Sequence, residues 1–280
     1  MSLLTVGPTG TYPTVQAGVN AAAHGDTVGI QNGTYPEAIT WNNKFIALVG
    51  LGTAVLLTGA GAGAAPTILL TGTGGGHLEN LTCSNVGSTN QYVLDLNVYQ
   101  HWCRRVRVNG TGGKKCFHAQ YLENCVAYNG LNGFVPSCPG ENILRHVSVV
   151  NMTGQGIICN PVNGTIQACL VYGTVGGSVM NYNNDVSCWN FTADSILVGA
   201  NSQRNQPLAN FAFTNLAGGD VSLLETTRAF FEGITPVSID FNGRRRRKFN
   251  TRTPRIYAGA YSAWPPAPQF ATGAASVRSI

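Results

Sequence analysis

Charged side chains are scarce in this chain: Asp, Glu, Lys and Arg make up only 10% of its 280 residues. Helices draw heavily on Glu, Lys and Ala, so this scarcity, together with 35 glycines and many Asn, Thr and Val residues, argues against a helical protein. Long apolar runs are also lacking, because Gly, Thr or Pro interrupts each one before the roughly 20 residues that a membrane helix needs. The sequence therefore predicts an all-β protein that does not span a membrane.

The first residues, MSLLTVGPTG, lack the basic region, the apolar run and the cleavage site of a secretion signal. The eight cysteines show no CxxC spacing and most fall at core positions, so we expect reduced thiols; the spacing leaves open one disulfide between Cys138 and Cys159. Both observations favour synthesis in a cytoplasm. The five histidines lack HxH and HExxH spacing, and we predict neither a metal nor a cofactor.

A repeat of about 22 residues organises the chain. Six segments share a pattern of one apolar, two variable, one apolar, one variable and one apolar residue, and their middle members are separated by 25, 19, 22, 22 and 27 residues. A second apolar run follows each pattern. The sequence therefore predicts a right-handed parallel β-helix, a solenoid in which residues at equal register form columns about 4.8 Å apart. The triplets are Leu78, Leu81, Cys83; Cys103, Val106, Val108; Leu122, Cys125, Ala127; Leu144, Val147, Val149; Ile166, Cys169, Val171; and Ala193, Ile196, Val198.

Two further columns follow from the same alignment. The first lies one position after the leading apolar residue and alternates in charge through its first four members, so opposite charges meet on neighbouring rungs. The second lies seven positions after the leading residue and contains Asn and Gly, which suit a turn. We interpret both columns as structural. Their members are Glu79, Arg104, Glu123, Arg145, Gln167 and Asp194 for the first, and Asn85, Gly110, Asn129, Asn151 and Gly173 for the second.

Both ends of the solenoid show signs of a cap, which protects terminal strand edges. Val15, Val19 and Ala22 have helical spacing after Thr14, a candidate N-cap, and Gly25 follows as a stop signal. We therefore expect three regions: an N-terminal cap with a short helix at 1–25, parallel coils at 26–243, and a basic loop, closing strand and extended C-terminal arm at 244–280.

Several segments resemble the pectin-lyase-like superfamily of right-handed β-helix proteins. Near the start, YPTVQA, GDTV and NGTYPE are similar to the opening helix, first strand and turn of that superfamily, and DFNGR with AGAY near the end is similar to its closing segment. The resemblance implies the fold and says little about activity, because enzymes and inert scaffolds share these motifs.

Catalytic signatures of the superfamily are missing from the sequence. There is no pair of Asp residues for glycoside hydrolysis, no acidic cluster for a calcium-assisted lyase, and no "QDTL" or "GRPW" segment of a pectin methylesterase. We therefore predict no catalytic residue. The alternative is a cleft assembled from neighbouring coils, with the members Asp95, His101, Arg105, His118 and His146.

Positive charge is concentrated at the C-terminal end. Residues 1–243 hold 9 Lys and Arg against 12 Asp and Glu, whereas residues 244–280 hold 8 against none. This segment suits either a solvated loop between the last coil and the closing strand or docking onto an acidic protein surface. Nucleic acid is disfavoured because no helix or interleaved aromatic residue presents the charges. The predicted docking residues are Arg244, Arg245, Arg246, Arg247, Lys248, Arg252 and Arg255, with Trp264 and Phe270 of the apolar arm.

These features support two functional hypotheses. The first is a non-enzymatic structural protein of a virus particle, expected on a bacteriophage, that decorates the capsid or belongs to the tail and is made in the host cytoplasm. Resemblance to β-helix proteins of phage particles implies a homotrimer that binds other virion proteins. The second is a polysaccharide-binding or polysaccharide-degrading protein, with a groove that carries Trp102, Tyr121, Tyr128 and Tyr172.

Overall fold

A computed structural model describes most of the chain up to Thr174 and short strands beyond it. The described residues are 1–61, 65–85, 91–96, 101–111, 113–136, 142–159, 164–167, 169–174, 179–180, 191–192, 211, 213–216, 220–223, 230–232 and 255–257. Within them, no helix is long and apolar enough to cross a bilayer.

The described elements are one helix and 25 strands. The first are β1 (Leu3–Val6), α1 (Val15–Ala21), β2 (Thr27–Ile30), β3 (Gly33–Tyr35), β4 (Ile39–Asn42), β5 (Ile46–Gly50), β6 (Val55–Leu57), β7 (Ile68–Thr71), β8 (Gly76–Ser84) and β9 (Tyr92–Leu96). Next come β10 (His101–Asn109), β11 (Lys115–Ala119), β12 (Tyr121–Glu123), β13 (Val126–Tyr128), β14 (Phe134–Pro136), β15 (Asn142–Arg145), β16 (Ser148–Val150), β17 (Ile158–Cys159), β18 (Gly164–Gln167) and β19 (Leu170–Tyr172). The last are β20 (Val179–Met180), β21 (Phe191–Thr192), β22 (Phe213–Asn215), β23 (Asp220–Leu223), β24 (Phe230–Glu232) and β25 (Arg255–Tyr257).

The strands form a parallel β-solenoid of about six turns. Sheet A contains 14 parallel strands, with the main order β1-β2-β5-β8-β10-β13-β16-β19-β21, and sheet B has the order β14-β11-β9-β7-β4. Each coil therefore contributes strands to two sheets that enclose a continuous interior.

The predicted interior columns are confirmed over five coils. Leu78 pairs with Cys103, and Val108 pairs with Ala127, each in parallel register. The middle members Leu81, Val106, Cys125, Val147 and Cys169 are all buried in one core cluster. The prediction for the sixth coil is wrong, because Thr192 rather than Val198 lies opposite Val171. Thr192 follows Val171 by 21 positions, close to the 22 positions from Val149 to Val171, so the pairing preserves the coil period.

Left-handed backbone conformations occur in two columns at the corners of the coil. One was predicted in part: Asn129, Asn151 and Gly173 have φ values of 55, 55 and 66°. Asn85 and Gly110 of that column lack a positive φ; Asn85 donates instead to the Ala65 carbonyl at 2.8 Å. The second column was not predicted and bends the strands of sheet A at Asn80, Arg105, Asn124 and His146, whose φ values lie between 52 and 58°.

Helix α1 begins as predicted at Thr14, whose hydroxyl accepts a hydrogen bond from the Ala17 N–H at 3.1 Å. The Glu37 carboxylate accepts from the N–H groups of Val15 and Gln16 at 2.8 and 3.0 Å, which satisfies two more donors of the first turn. Val15 and Val19 are fully buried in the core cluster, so the apolar face of α1 packs against the solenoid.

An outer layer covers part of sheet A beyond Tyr128. Val126, Val150 and Leu170 have no exposed surface, yet they do not belong to the interior core cluster. The rings of Phe211 and Phe213 lie 5.1 Å from the ring of Tyr172, and Phe211 is only 7% exposed. Phe211 and Phe213 therefore pack on the outside of the coil that contains Tyr172.

The described cysteines Cys83, Cys103, Cys116, Cys125 and Cys169 are free and buried, as the sequence predicted. Burial raises the pKa of Cys125 to about 12, so the thiol stays protonated, and its Sγ donates to the Cys103 carbonyl at 3.3 Å. Cys138 lies outside the described residues, so the pairing left open with Cys159 is not tested.

Replacing Phe117 tests the packing of the interior. Phe117 in β11 is fully buried, and Phe117→Ala is expected to lower the free energy of unfolding by about 3 to 5 kcal/mol, because it removes apolar contacts and leaves a cavity. Urea unfolding followed by circular dichroism measures the change. The control Thr82→Ala, on the outer side of β8, should change the free energy of unfolding by less than about 0.5 kcal/mol. Equal losses of stability in Phe117→Ala and Thr82→Ala would contradict the burial of Phe117 in the core.

Candidate functional site

An alternating ladder of charges runs along the outside of sheet A, as predicted. Glu79 pairs in register with Arg104, Arg104 with Glu123, and Glu123 with Arg145. The Arg104 Nε atom lies 3.0 Å from Glu123 Oε1. Glu79 does not form an ion pair with Arg104: its two carboxylate oxygens bind Arg105 Nη2 at 2.5 Å and His77 Nε2 at 2.9 Å. Arg105 occupies the left-handed bend, which turns its side chain onto the same surface.

The carboxylate of Glu79 is held ionised by these two partners. The hydrogen bond from His77, followed by the hydrogen bond and charge of Arg105, lowers the pKa of Glu79 to about 2, against the opposing effect of burial. The charges of Glu79, Arg104, Arg105 and Glu123 therefore compensate one another.

Two of the four aromatic residues predicted to line a groove form a stack. Trp102 and Tyr121 are register mates, and their rings lie 4.8 Å apart at an interplanar angle of 15°. Trp102 is 41% exposed. Such a flat, accessible aromatic surface suits stacking against the apolar face of a ring-shaped ligand.

The other two aromatic residues lie elsewhere. Tyr128 is paired with Asn109, seven residues along β10 from Trp102, or about 20 Å of strand. The Arg107 guanidinium lies 4.6 Å above the Tyr128 ring, and Tyr172 contacts Phe211 and Phe213 of the outer layer. The structure therefore divides the four aromatic residues into two pairs, Trp102 with Tyr121 and Tyr128 with Tyr172, and the two pairs have different surroundings.

The cleft considered as an alternative is only partly assembled. Asp95 and His118 are in register on sheet B, and His118 Nδ1 lies 2.6 Å from Asp95 Oδ1. His101 is 1% exposed, and its Nε2 accepts a hydrogen bond from the Gln120 N–H at 2.6 Å. His146 is 2% exposed, and Arg105 belongs to the sheet A ladder.

Sequence reasoning missed Tyr92, which contacts His118, and Lys115, which contacts Tyr92. The Tyr92 ring stacks on the His118 imidazole at 4.4 Å and 14°, and the Lys115 ammonium lies 5.1 Å from the Tyr92 ring centre. The register pairing of Lys115 with Tyr92 was the available signal, because YVLDL and KCFHA occupy equivalent places in successive coils. We call Tyr92, Asp95, Lys115 and His118 the His118 cluster.

A polar groove of about 490 Å³ lies near α1 on the outer side of sheet B. Helix α1 contributes amides to it, and β4 and β7 contribute hydroxyl, amide and aliphatic groups. Gln16 Nε2 donates to the Thr40 carbonyl at 2.9 Å, and Lys44 Nζ donates to the Val19 carbonyl at 2.6 Å, so these two side chains also tie α1 to the solenoid. The lining residues are Gln16, Asn20, Thr40, Trp41, Asn42, Lys44, Leu69 and Thr71.

Most of the predicted docking residues lie outside the described residues: Arg244, Arg245, Arg246, Arg247, Lys248, Arg252, Trp264 and Phe270. Arg255 begins β25, which pairs antiparallel with β24 and places Arg255 opposite Glu232. Among the residues that the structure describes, no group of three or more His, Cys, Asp or Glu side chains is arranged to hold a metal ion.

The fold defines the class of this protein as a parallel β-solenoid. No family model matches the chain, and neither a curated protein nor a solved structure matches it.

The ion pairs of Glu79 give stability a specific pH dependence. A folded pKa near 2, below the ordinary value of 4.5, means that the stabilisation is present above about pH 4.5 and is lost as the pH falls towards 2. Glu79→Gln should therefore lower the free energy of unfolding by about 1 to 2 kcal/mol at pH 7, allowing for solvent screening, and the difference from the unmodified chain should shrink between pH 5 and pH 2.

Urea titrations at a series of pH values measure this difference. The companion variant Arg105→Gln removes the charged partner, so it should weaken the same pH dependence. If the free energies of unfolding of Glu79→Gln and of the unmodified chain differed by the same amount down to pH 2, the lowered pKa of Glu79 would be contradicted.

Proposed function

We propose that this chain is a non-enzymatic structural protein of a virus particle, a bacteriophage capsid-decorating or tail-associated component that docks through its C-terminal region. The observation that carries the proposal is the segregation of charge: residues 244–280 hold 8 Lys and Arg and no Asp or Glu. On the solenoid, by contrast, Arg104 and Arg105 are paired with carboxylates. An unbalanced positive segment suits binding to an acidic protein surface.

The change in architecture towards the C-terminus supports the same proposal. The pairs β22–β23 and β24–β25 are antiparallel, unlike the pairs of the coils, and Arg255 lies in the second. The proposal includes a right-handed solenoid of the pectin-lyase-like type, α1 as the cap of its first coil, and assembly as a homotrimer. The chain would then be made in the host cytoplasm and reside in the virion.

Neutralising the basic segment tests docking. The variant with Arg244, Arg245, Arg246, Arg247 and Lys248 all changed to Gln should keep the circular dichroism spectrum of the unmodified chain and should no longer cosediment with particles from the native source. Arg104→Gln, a charge removal on the solenoid, serves as the control and should cosediment normally. The proposal would be refuted if the neutralised chain cosedimented with the particles as fully as the unmodified chain does. It would also be refuted if the unmodified chain cosedimented with no particle from the native source.

Polysaccharide binding is a second candidate function, and the stack of Trp102 on Tyr121 favours it. The stack holds the Trp102 ring in a fixed orientation, so little conformational entropy is lost when a ligand binds. Arg104 and Glu123, which follow these residues by two positions, offer polar groups at the edge of the platform.

Removing the Trp102 ring tests this candidate. Trp102→Ala should weaken binding of a glycan by about five-fold, because stacking on an aromatic ring contributes on the order of 1 kcal/mol. Isothermal titration calorimetry against a panel of neutral and uronate-containing polysaccharides measures the change. Leu51→Ala, at another exposed apolar side chain, is the matched control and should bind normally. If Trp102→Ala bound every glycan with the same affinity as the unmodified chain, the stack of Trp102 on Tyr121 would be excluded as the glycan-binding site.

A further inference from the structure

One outer column of sheet A contains no Asp, Glu, Lys or Arg. It begins at Leu3 in β1, crosses successive coils in parallel register and reaches Ile143 in β15. None of its members is buried, and the two most exposed are Leu3 at 60% and Trp102 at 41%. We call it the Trp102 column. In order, its members are Leu3, Thr27, Ala47, His77, Trp102, Tyr121 and Ile143.

The Trp102 column lies beside the charge ladder. Arg104 follows Trp102 by two positions in β10, as Glu123 follows Tyr121 in β12, and residues two apart on a strand point to the same side of the sheet. Aromatic residues and Arg are enriched where proteins contact each other. The outer face of sheet A therefore has the composition of a protein–protein interface.

The charge ladder is complementary to itself when its direction is reversed. Along the solenoid, Glu79, Arg104, Glu123 and Arg145 alternate from negative to positive. A second copy, packed face to face and related by a two-fold axis parallel to the strands, presents the ladder in the opposite order. With the axis between β10 and β12, Arg104 of each chain faces Glu123 of the other, and Glu79 faces Arg145. Every charge of the ladder then meets an opposite charge.

The same axis also matches the Trp102 column to itself. It brings Trp102 of each chain onto Tyr121 of the second copy, and His77 onto Ile143. Within one chain, Trp102 and Tyr121 already stack at 4.8 Å, so two such pairs form a cluster of four rings at the centre of the contact. One rotation therefore satisfies both columns.

Other arrangements of two copies bring like charges together. A shift of the axis by one strand places Arg104 opposite Arg104 of the second copy and Glu79 opposite Glu123. Parallel solenoids would place each ladder on identical charges or on the Trp102 column, where the charges have no partner. Like charges in a contact disfavour the wrong register. The alternation of charge therefore selects one antiparallel register.

Arg145 has a charge left over for this contact. Arg104 is paired with Glu123 within the chain, and Arg105 with Glu79. Among the residues that the structure describes, Arg145 forms no ion pair, and its Nε atom has no hydrogen-bond partner. Carboxylate oxygens can accept more than one hydrogen bond, so Glu79 of a second copy can still accept from Arg145.

We propose that the outer face of sheet A is a contact between two copies of this chain, which lie antiparallel about a two-fold axis between β10 and β12. The facing rings of Trp102 and Tyr121 supply most of the affinity, and the ladder sets the register. The contact is about six strands long and two columns wide, or roughly 400 Å² per chain, which is about half of a standard interface. We therefore expect a weak dimer, with a dissociation constant in the micromolar range.

The inference goes beyond the proposed function and does not rest on it. Docking uses residues 244–280, and the homotrimer needs a three-fold axis and therefore another contact. A chain that forms both contacts would assemble as six copies.

Sedimentation equilibrium of the full chain counts the copies in solution. At concentrations up to about 100 µM, the unmodified chain should reach two copies, or six where the homotrimer also forms. Trp102→Ala removes the central ring and should raise the dissociation constant of the pair by about ten-fold or more. The control Tyr92→Ala removes an aromatic ring from sheet B and should leave that constant unchanged. If the unmodified chain sedimented only as one or three copies, or if Trp102→Ala paired as tightly as the unmodified chain, the proposal would be overturned.

Charge reversal separates the contact between chains from the ion pair within each chain. Arg104→Glu brings like charges together at the contact, and so does Glu123→Arg, so each variant alone should lose the dimer. In an equimolar mixture, each substituted position faces the opposite charge of the other variant, so a pair with one chain of each should form. Mixing cannot restore the ion pair within a chain, which both variants lack.

Native mass spectrometry identifies the mixed pair by its mass, and circular dichroism checks that both variants are folded. Folded variants that form no mixed pair, or a single variant that dimerises as tightly as the unmodified chain, would refute the contact. Dimerisation is measured on the chain alone and docking on particles. Failure of the dimer therefore leaves docking through residues 244–248 intact, and failure of docking leaves the dimer intact.

Discussion

The stacking of parallel strands at about 4.8 Å is the constraint on which the rest of this structure depends. Once Leu78 lies beneath Cys103 and Cys103 beneath Leu122, every residue between them is assigned to the inside or the outside of a coil. Burial of the apolar column fixes the register of the strands, and that register determines which residues stack in the outer columns. A shift by one residue would bury the charge ladder and expose the core, so the register is strongly specified.

Outer columns can therefore hold polar and charged side chains without disturbing the buried core. In the ladder of sheet A, Glu123 pairs with Arg104 and Glu79 with Arg105, and the result is a flank of compensated charge. On sheet B, the same geometry brings Asp95 beneath His118 and forms an oriented imidazole. Both arrangements use residues more than 18 positions apart in sequence, which only the coil repeat brings into contact.

The sequence allowed the interior columns and the order of outer residues to be predicted, because both depend only on the coil period. It did not reveal that Glu79 pairs with Arg105, since that contact depends on the left-handed conformation of Arg105 at a bend that Asn, Arg and His all occupy. Asp95 and His118 were recognised as neighbours. The register pairing of Tyr92 with Lys115 was available from the same alignment and was overlooked, whereas the stacking of Tyr92 on His118 depends on rotamers that register does not determine. The sixth coil was misaligned because Ala193, Ile196 and Val198 match a pattern that asks only for three apolar residues.

The two faces of the solenoid differ in what they can bind. Sheet A presents the exposed ring of Trp102 beside paired charges, and Phe211 and Phe213 pack on its outer side at Tyr172. Sheet B presents the hydrogen-bonded pair Asp95 and His118 and a groove lined by hydroxyl and amide groups near α1. Since the surplus positive charge belongs to residues 244–280, docking through that segment, as proposed, would not draw on the paired charges of sheet A or on the polar side chains of sheet B.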